Sequence, residues 1–255
     1  MIDQQKIHRM HKELIIFRTY VIFLTSLLAV FWFAGFTRQS DKQHFTEIDV
    51  ERLNIVEANG KYRMVISNRS LAPDPVMDGI TSKRQGNFSS PGIIFYNDEG
   101  DESGALVSVG RKKENGEYSA SSRLVFDRFK QDETIALQYY EDQLGGYANL
   151  VVNDRPDIPL SQQIQQIESI RRMPDGPEKD EAWKKMDEAG GRGANRVLVG
   201  KDRAKSAAVK LADRKGNTRL RLIVDTLGVA KIDFLDEKGT ITFSLPDSLH
   251  SKSRQ

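Results

Sequence analysis

The side chains able to do chemistry in this 255-residue chain are few and scattered. Cysteine is absent, which removes thiol nucleophiles, disulfides, zinc fingers and iron–sulfur clusters together. The four histidines lie at His8, His11, His44 and His250, none of them in the region whose periodicity marks the main domain. A histidine-based triad or zinc site there has no base and no ligand set. His8 and His11 stand at helical spacing, where a solvated helix explains them better than a two-histidine metal site. The run Asn97-Asp98-Glu99-Gly100-Asp101-Glu102 is rich enough in oxygen to raise Ca²⁺. It lacks the D-x-D-x-D-G spacing and distal glutamate of an EF-hand, and matching turns elsewhere carry Lys238 and Arg214-Lys215. A solvated hairpin turn is the better reading. G-x-S-x-G, H-E-x-x-H and the P-loop do not occur. Gly190-Gly191-Arg192-Gly193 follows no strand pattern and reads as a flexible linker rather than a phosphate loop. Paired carboxylates for glycoside hydrolysis are defined by separation in space, so that chemistry stays open. No cofactor and no metal are implied.

The elements that must position these residues begin with an apolar run. Thr19 to Phe36 contains no charge. As a helix rising about 1.5 Å per residue it spans roughly 27 Å, close to the hydrocarbon thickness of a bilayer. Tyr20 and Trp32 lie toward its two ends, where amphipathic rings favour the interface. A cleaved signal peptide would exit at small residues, whereas Phe31-Trp32-Phe33-Ala34-Gly35-Phe36 is bulky, so an uncleaved anchor is expected. Lys6, Arg9, Lys12 and Arg18 against Asp3 and Glu13 place the N-terminal side in the cytoplasm and the rest outside. Because the formal net charge of the whole chain is +2, the exported part is formally neutral. A nucleic-acid partner, which needs a basic stripe, is therefore not expected. The expected surroundings are a lipid bilayer around residues 19–36 and a protein partner in the bacterial envelope. Absence of disulfides in an exported domain fits a bacterial source.

Beyond a polar stalk at 37–46, alternation with period two dominates. Asp49 to Ile55 and Tyr62 to Ile66 flank Asn59-Gly60, a strong hairpin signal. Ser122–Phe126, Thr134–Tyr140 and Ala148–Val152 are further strands, with turns at Gln131-Asp132 and Gly145-Gly146. Near the C-terminus, Ala207–Leu211, Arg219–Leu222, Ala230–Phe234 and Thr240–Leu245 alternate cleanly. A weak repeat recurs at Phe95–Gly100, Leu211–Gly216 and Phe234–Gly239: an apolar residue, any residue, Asn or Asp, two more residues, then Gly. It describes a strand end and a turn, so each unit is expected to be a hairpin. Leu160, Ile164, Ile167, Ile170 and Met173 switch to helical spacing behind Ser161 as N-cap, and Glu178–Ala189 forms a second helix. The expected fold is mainly β, an antiparallel hairpin meander forming a sheet, sandwich or barrel. It spans 47–245, carries a two-helix insertion at 161–189, follows one N-terminal transmembrane helix, and ends in a disordered tail at 246–255.

The segment 70–91 breaks the periodicity with Pro73, Pro75, Gly79, Gly86 and Pro91. Long irregular loops on rigid scaffolds often carry recognition. Val76, Met77 and Phe88 have no periodic reason to be buried, and Lys83 and Arg84 beside them suit an acidic partner. Together with Asn97, Asp98 and Glu99 of the next hairpin they form the expected contact surface. The alternative is that the three apolar side chains fold back on the sheet as a plug.

The anchor, Asp49–Glu57, Arg63–Asn68, Phe95–Gly100 and Val152-Asn153-Asp154-Arg155-Pro156 resemble uncharacterised bacterial single-pass membrane-anchored proteins with β-hairpin repeats. The resemblance covers about 48–156 and 206–245, and implies neither an activity nor a catalytic residue. The expected function is a non-enzymatic binding or assembly module of the bacterial envelope, held to the cytoplasmic membrane with its C-terminal domain outside. The rival is a carboxylate-based hydrolase of envelope polysaccharide.

Overall fold

The structure, a computed structural model, describes residues 4–35, 42–81 and 90–246. It divides into two units, Met1–Asp49 and Val50–Gln255.

The first unit holds helix α1, Gln4–Gly35. Its stretch Gln4–Phe33 is long and apolar enough to cross a membrane, and none of its apolar window is buried within the protein. The two threonines inside it hide their hydroxyls on their own helix: Thr19 Oγ1 donates to the Ile15 carbonyl at 2.9 Å and Thr25 Oγ1 to that of Val21 at 2.8 Å. That satisfies polar groups which a lipid surrounding would leave without partners. The helix starts well before Thr19. The stretch from Gln4 to Arg18, which carries the charges of this helix, continues it, supported by an Arg9–Glu13 pair one turn apart.

The second unit is built on one antiparallel sheet. Its strands are β1 (Arg52–Val56), β2 (Tyr62–Ser67), β5 (Gly92–Tyr96), β6 (Glu102–Lys112), β7 (Tyr118–Asp127), β8 (Glu133–Asp142), β9 (Gly145–Asp154), β10 (Ala194–Lys201), β11 (Ala207–Ala212), β12 (Thr218–Val224), β13 (Ala230–Leu235) and β14 (Ile241–Leu245). A two-residue hairpin of β3 (Val76–Met77) and β4 (Ile80–Thr81) stands apart. The twelve strands lie side by side in chain order, with only β3 and β4 skipped. β1 and β14 do not meet, so among the sheet, sandwich and barrel left open by periodicity the fold is a single open sheet. Helices α2 (Leu160–Arg171) and α3 (Pro177–Glu188) separate β9 from β10, yet those strands pair directly.

Most connections reuse one turn. At 57–61, 97–101, 113–117, 202–206, 213–217, 225–229 and 236–240 the first N–H donates to the fifth carbonyl, and the fourth N–H to the first carbonyl. The fourth residue has positive φ: Gly in six turns and Lys205 in the seventh. Where Asn or Asp stands first, its side chain accepts backbone N–H bonds further along, as Asp236 does from Lys238 and Thr240 at 2.9 and 2.8 Å. The three repeat units read from the sequence are three of these turns.

Several boundaries differ from expectation. β6 and β10 lie in stretches where the alternation names no strand. Gly145-Gly146 belongs to β9, and the turn is Gln143-Leu144. Ser161 is not the N-cap of α2, which starts at Leu160 with Pro159 in the cap position. Its hydroxyl instead bonds the Asp78 carboxylate. Gly190–Gly193 is a compact turn rather than a linker: Arg192 pairs with Asp187 and lies over the Trp183 ring at 5.3 Å, and Gln163 donates to the Gly191 carbonyl at 2.8 Å. The tail beyond Pro246 and part of the stalk lie outside the described residues.

Candidate functional site

Register decides what each face of the sheet presents. On one face, Val65, Ile94, Tyr96, Ala105, Val125 and Ala136 form the buried core cluster, with Val76 and Val107 packed against it. The same cross-strand row runs on through Val151 and Leu198 into Lys210, Arg221, Asp233 and Ser244. This face is therefore apolar and covered in its first half, and hydrogen-bonded in its second. Asp233 is 1% exposed, accepting from Arg221 Nη2 at 2.6 Å and Ser244 Oγ at 2.7 Å.

The opposite face carries an unbroken aliphatic row, one residue from every strand: Leu53, Ile66, Ile93, Leu106, Leu124, Leu137, Leu150, Val199, Val209, Leu222, Ile232 and Leu245. A second row runs beside it from Ile55 and Met64 to Phe234 and Phe243, apolar throughout except at Gly104. A Cβ at Gly104 would stand 2.5 Å from the Val125 carbonyl oxygen, so glycine is required there. Neither row contains a charge. The register shifts beside Val56, Tyr96, Asp127, Asn195, Ala212 and Leu235 all fall outside both rows, so no bulge turns either row over.

No member of the first row is buried; Leu137 is 55% exposed and Leu106 44%. Two shallow apolar depressions lie on this face, of about 700 Å³ around Val209, Leu222 and Ile232 and about 450 Å³ around Leu106, Leu137 and Leu150. At the strand ends the face turns polar. Glu141 accepts from Tyr118 Oη at 2.9 Å and from Tyr139 Oη, and these bonds hold its carboxyl below the usual carboxylate range. Strand spacing near 4.8 Å gives the two rows an area on the order of 600–1,000 Å², larger than the few hundred Å² that soluble monomers ordinarily leave exposed.

The contact surface expected from sequence lies elsewhere. Val76 packs on the buried cluster and Met77 pairs with Ile80 in the small hairpin. The Gly79 N–H donates to Asp101 at 2.9 Å, and Lys130 reaches Glu99 at 2.9 Å and Asp78 at 3.9 Å, which joins this hairpin to the 97–101 turn. Asn97 caps its own turn, and Asp98 pairs with Arg63 at 2.6 Å. Val76, Met77, Asn97, Asp98 and Glu99 thus belong to one neighbourhood, while Lys83, Arg84 and Phe88 lie outside the described residues.

A polar cleft of about 950 Å³ opens between the ends of β7–β10 and the α3 turn, lined by Asp127, Arg128, Asn153, Arg155 and Asp187 among others. Burial, then repulsion from Asp132, Glu102 and Glu133, pushes Asp127 up to about 7, with Arg155 opposing. Among the described residues, the buried Thr134 Oγ1 and Asn153 Oδ1 of this cleft have no hydrogen-bond partner.

Sequence reasoning saw the alternation behind the apolar rows but not their alignment. Pairing register is the missing signal, since alternation says that each strand has an apolar side without saying that twelve such sides coincide. Comparison with protein-family models and with curated proteins finds no match for this chain.

Proposed function

We propose that this protein is a membrane-tethered binding or assembly module whose working surface is the open apolar face of the sheet. The observation that carries the reading is the uncharged aliphatic row crossing every strand with no member buried. A side chain of this kind forgoes roughly 1 kcal/mol or more when it stays half in water, so twelve in register favour a covering partner. Helix α1 serves as the anchor, and the Lys/Arg excess before Thr19 orients the N-terminus to the cytoplasm and the sheet to the outside. The contacts made by this face are binding contacts, with no catalytic step.

The test is a photo-crosslinking residue placed at Leu137 in the full chain in native membranes, with Lys231 on the other face as control. Crosslinked products from position 137 and few from 231 support the reading. Equal yields from both positions, or none from 137, contradict it. Protease added to intact spheroplasts tests the orientation, which predicts digestion of the sheet.

A second reading, hydrolysis of an envelope polysaccharide, is favoured by Asp127, a carboxyl held near neutrality in a polar cleft as a general acid requires. Turnover of a glycan by the intact protein, lost in Asp127→Asn, supports that reading.

A further inference from the structure

We infer that the occupant of the open face is a second copy of this chain, packed face to face as a two-sheet sandwich. The inference rests on the binding reading above and names its partner.

Size is the first argument. The two rows offer on the order of 600–1,000 Å², against the roughly 800 Å² per partner that a standard protein interface buries. Composition is the second. The centre is aliphatic and aromatic, and its edge carries Tyr118 and Tyr139, both donating to Glu141. An apolar core inside a tyrosine-bearing polar rim is the anatomy of a protein interface.

Electrostatics is the third argument. A different protein partner is normally selected by complementary charge. Both rows are uncharged, so the face is complementary to itself, as a twofold contact requires. A lipid or other small apolar ligand is a poorer occupant. It needs a pocket covering about 70–90% of its surface, whereas both depressions are shallow and open to solvent. Two inner faces of a sandwich pack about 10 Å apart with their strands inclined by about 30°, and alternate side chains interdigitate. Leu137 and Leu150 belong to the two central strands and Leu222 lies further along the same row, so a twofold axis running along that row sets both Leu137 and Leu222 across from their own copies.

The chain contains no cysteine, so single-cysteine variants report cleanly. Leu137→Cys and Leu222→Cys are placed on the open face and Lys231→Cys on the opposite one, each in the full chain in native membranes. A short bis-maleimide should link the first two into dimers at least tenfold faster than the third. Adding Leu150→Glu to the Leu137→Cys chain should abolish that dimer while leaving the thermal unfolding of the sheet cooperative. Equal dimer yields from both faces indicate random collision and overturn the inference. A monofunctional maleimide separates the remaining outcomes. If the thiol of the Leu137→Cys chain is shielded from it yet forms no dimer, another molecule covers the face: the second copy is ruled out and the binding reading survives. If that thiol reacts as fast as the one in the Lys231→Cys chain and forms no dimer, both fall. Two open-face sites on different hairpins keep the test informative if one substitution disturbs folding.

Discussion

Leu137 and Leu150 stand directly opposite each other on the two central strands of the sheet, and both remain exposed, at 55% and 37%. One residue away on the other face, Ala136 and Val151 are also paired and are 2% and 6% exposed. The same two strands therefore bury one side and leave the other, equally apolar, uncovered. Folding uses the first side; the second is available for association.

The first prediction concerns the covered side. Ile94 is 5% exposed within the buried cluster, so Ile94→Ala removes packed atoms and leaves a cavity. The expected cost is about 2–4 kcal/mol. In a domain of this size that lowers the melting temperature by roughly 5–15 °C. Crosslinking from position 137 should persist below that temperature. Unchanged melting would mean that the cluster is not the core.

Asp233 supplies the second. Burial raises its carboxyl, but the bonds from Ser244 and Arg221, helped by Lys231, outweigh burial and hold it below the usual range. Arg221→Met removes the cation and leaves a buried carboxylate short of partners. A loss of about 1–3 kcal/mol is expected, since Ser244 still donates to the carboxylate that Arg221 leaves. Since the folded pKa is depressed, the stabilisation is present above the unfolded value near 4 and is lost as pH falls through the folded value. Wild type and variant should therefore converge in melting temperature toward acid. A gap that widens below pH 4 contradicts this assignment.

Asp127 has the opposite sign. Its folded pKa, about 7, lies above the unfolded value. Its contribution is full below about pH 4, declines as pH rises through 7, and is flat beyond. Relative to Asp127→Asn, wild type should lose several degrees of melting temperature between pH 4 and 7 and nothing further above 8. A pH-independent difference between the two proteins would show that the carboxyl is not shifted.

The repeated turn gives the fourth. Gly239 has φ of +80° and open space where a Cβ would stand. Gly239→Ala therefore tests backbone conformation without a clash, and should cost about 1 kcal/mol. Denaturant unfolding measures it; no change would mean that the turn relaxes to another form.

How much of this was legible without coordinates depends on the element. Alternation marked β7, β8 and β9 and the four strands from β11 to β14, because one side of each is more apolar than the other. β6 escaped because Ala105-Leu106-Val107 is a contiguous apolar run without period two, with Gly104 and Gly110 on either side of it. β10 escaped because the shift between Asn195 and Val197 leaves Val197-Leu198-Val199 apolar on both faces. The helical spacing of His8 and His11 marked a helix before Thr19, but not that it runs unbroken into the apolar stretch as one element, Gln4–Gly35. The open face was the least legible feature: its two rows are assembled from twelve pairing registers, and a one-residue slip in any strand would have moved that strand's apolar set to the other side.

Whether the apolar face is covered when the protein is in place can be read from thiol labelling. In native membranes, the rate of reaction of a water-soluble maleimide with Leu137→Cys is compared with that of Lys231→Cys in the full chain. Labelling at 137 is expected to be at least tenfold slower, rising toward the rate at 231 when the membranes are treated with enough urea to separate associated chains. Equal rates in untouched membranes would contradict that coverage.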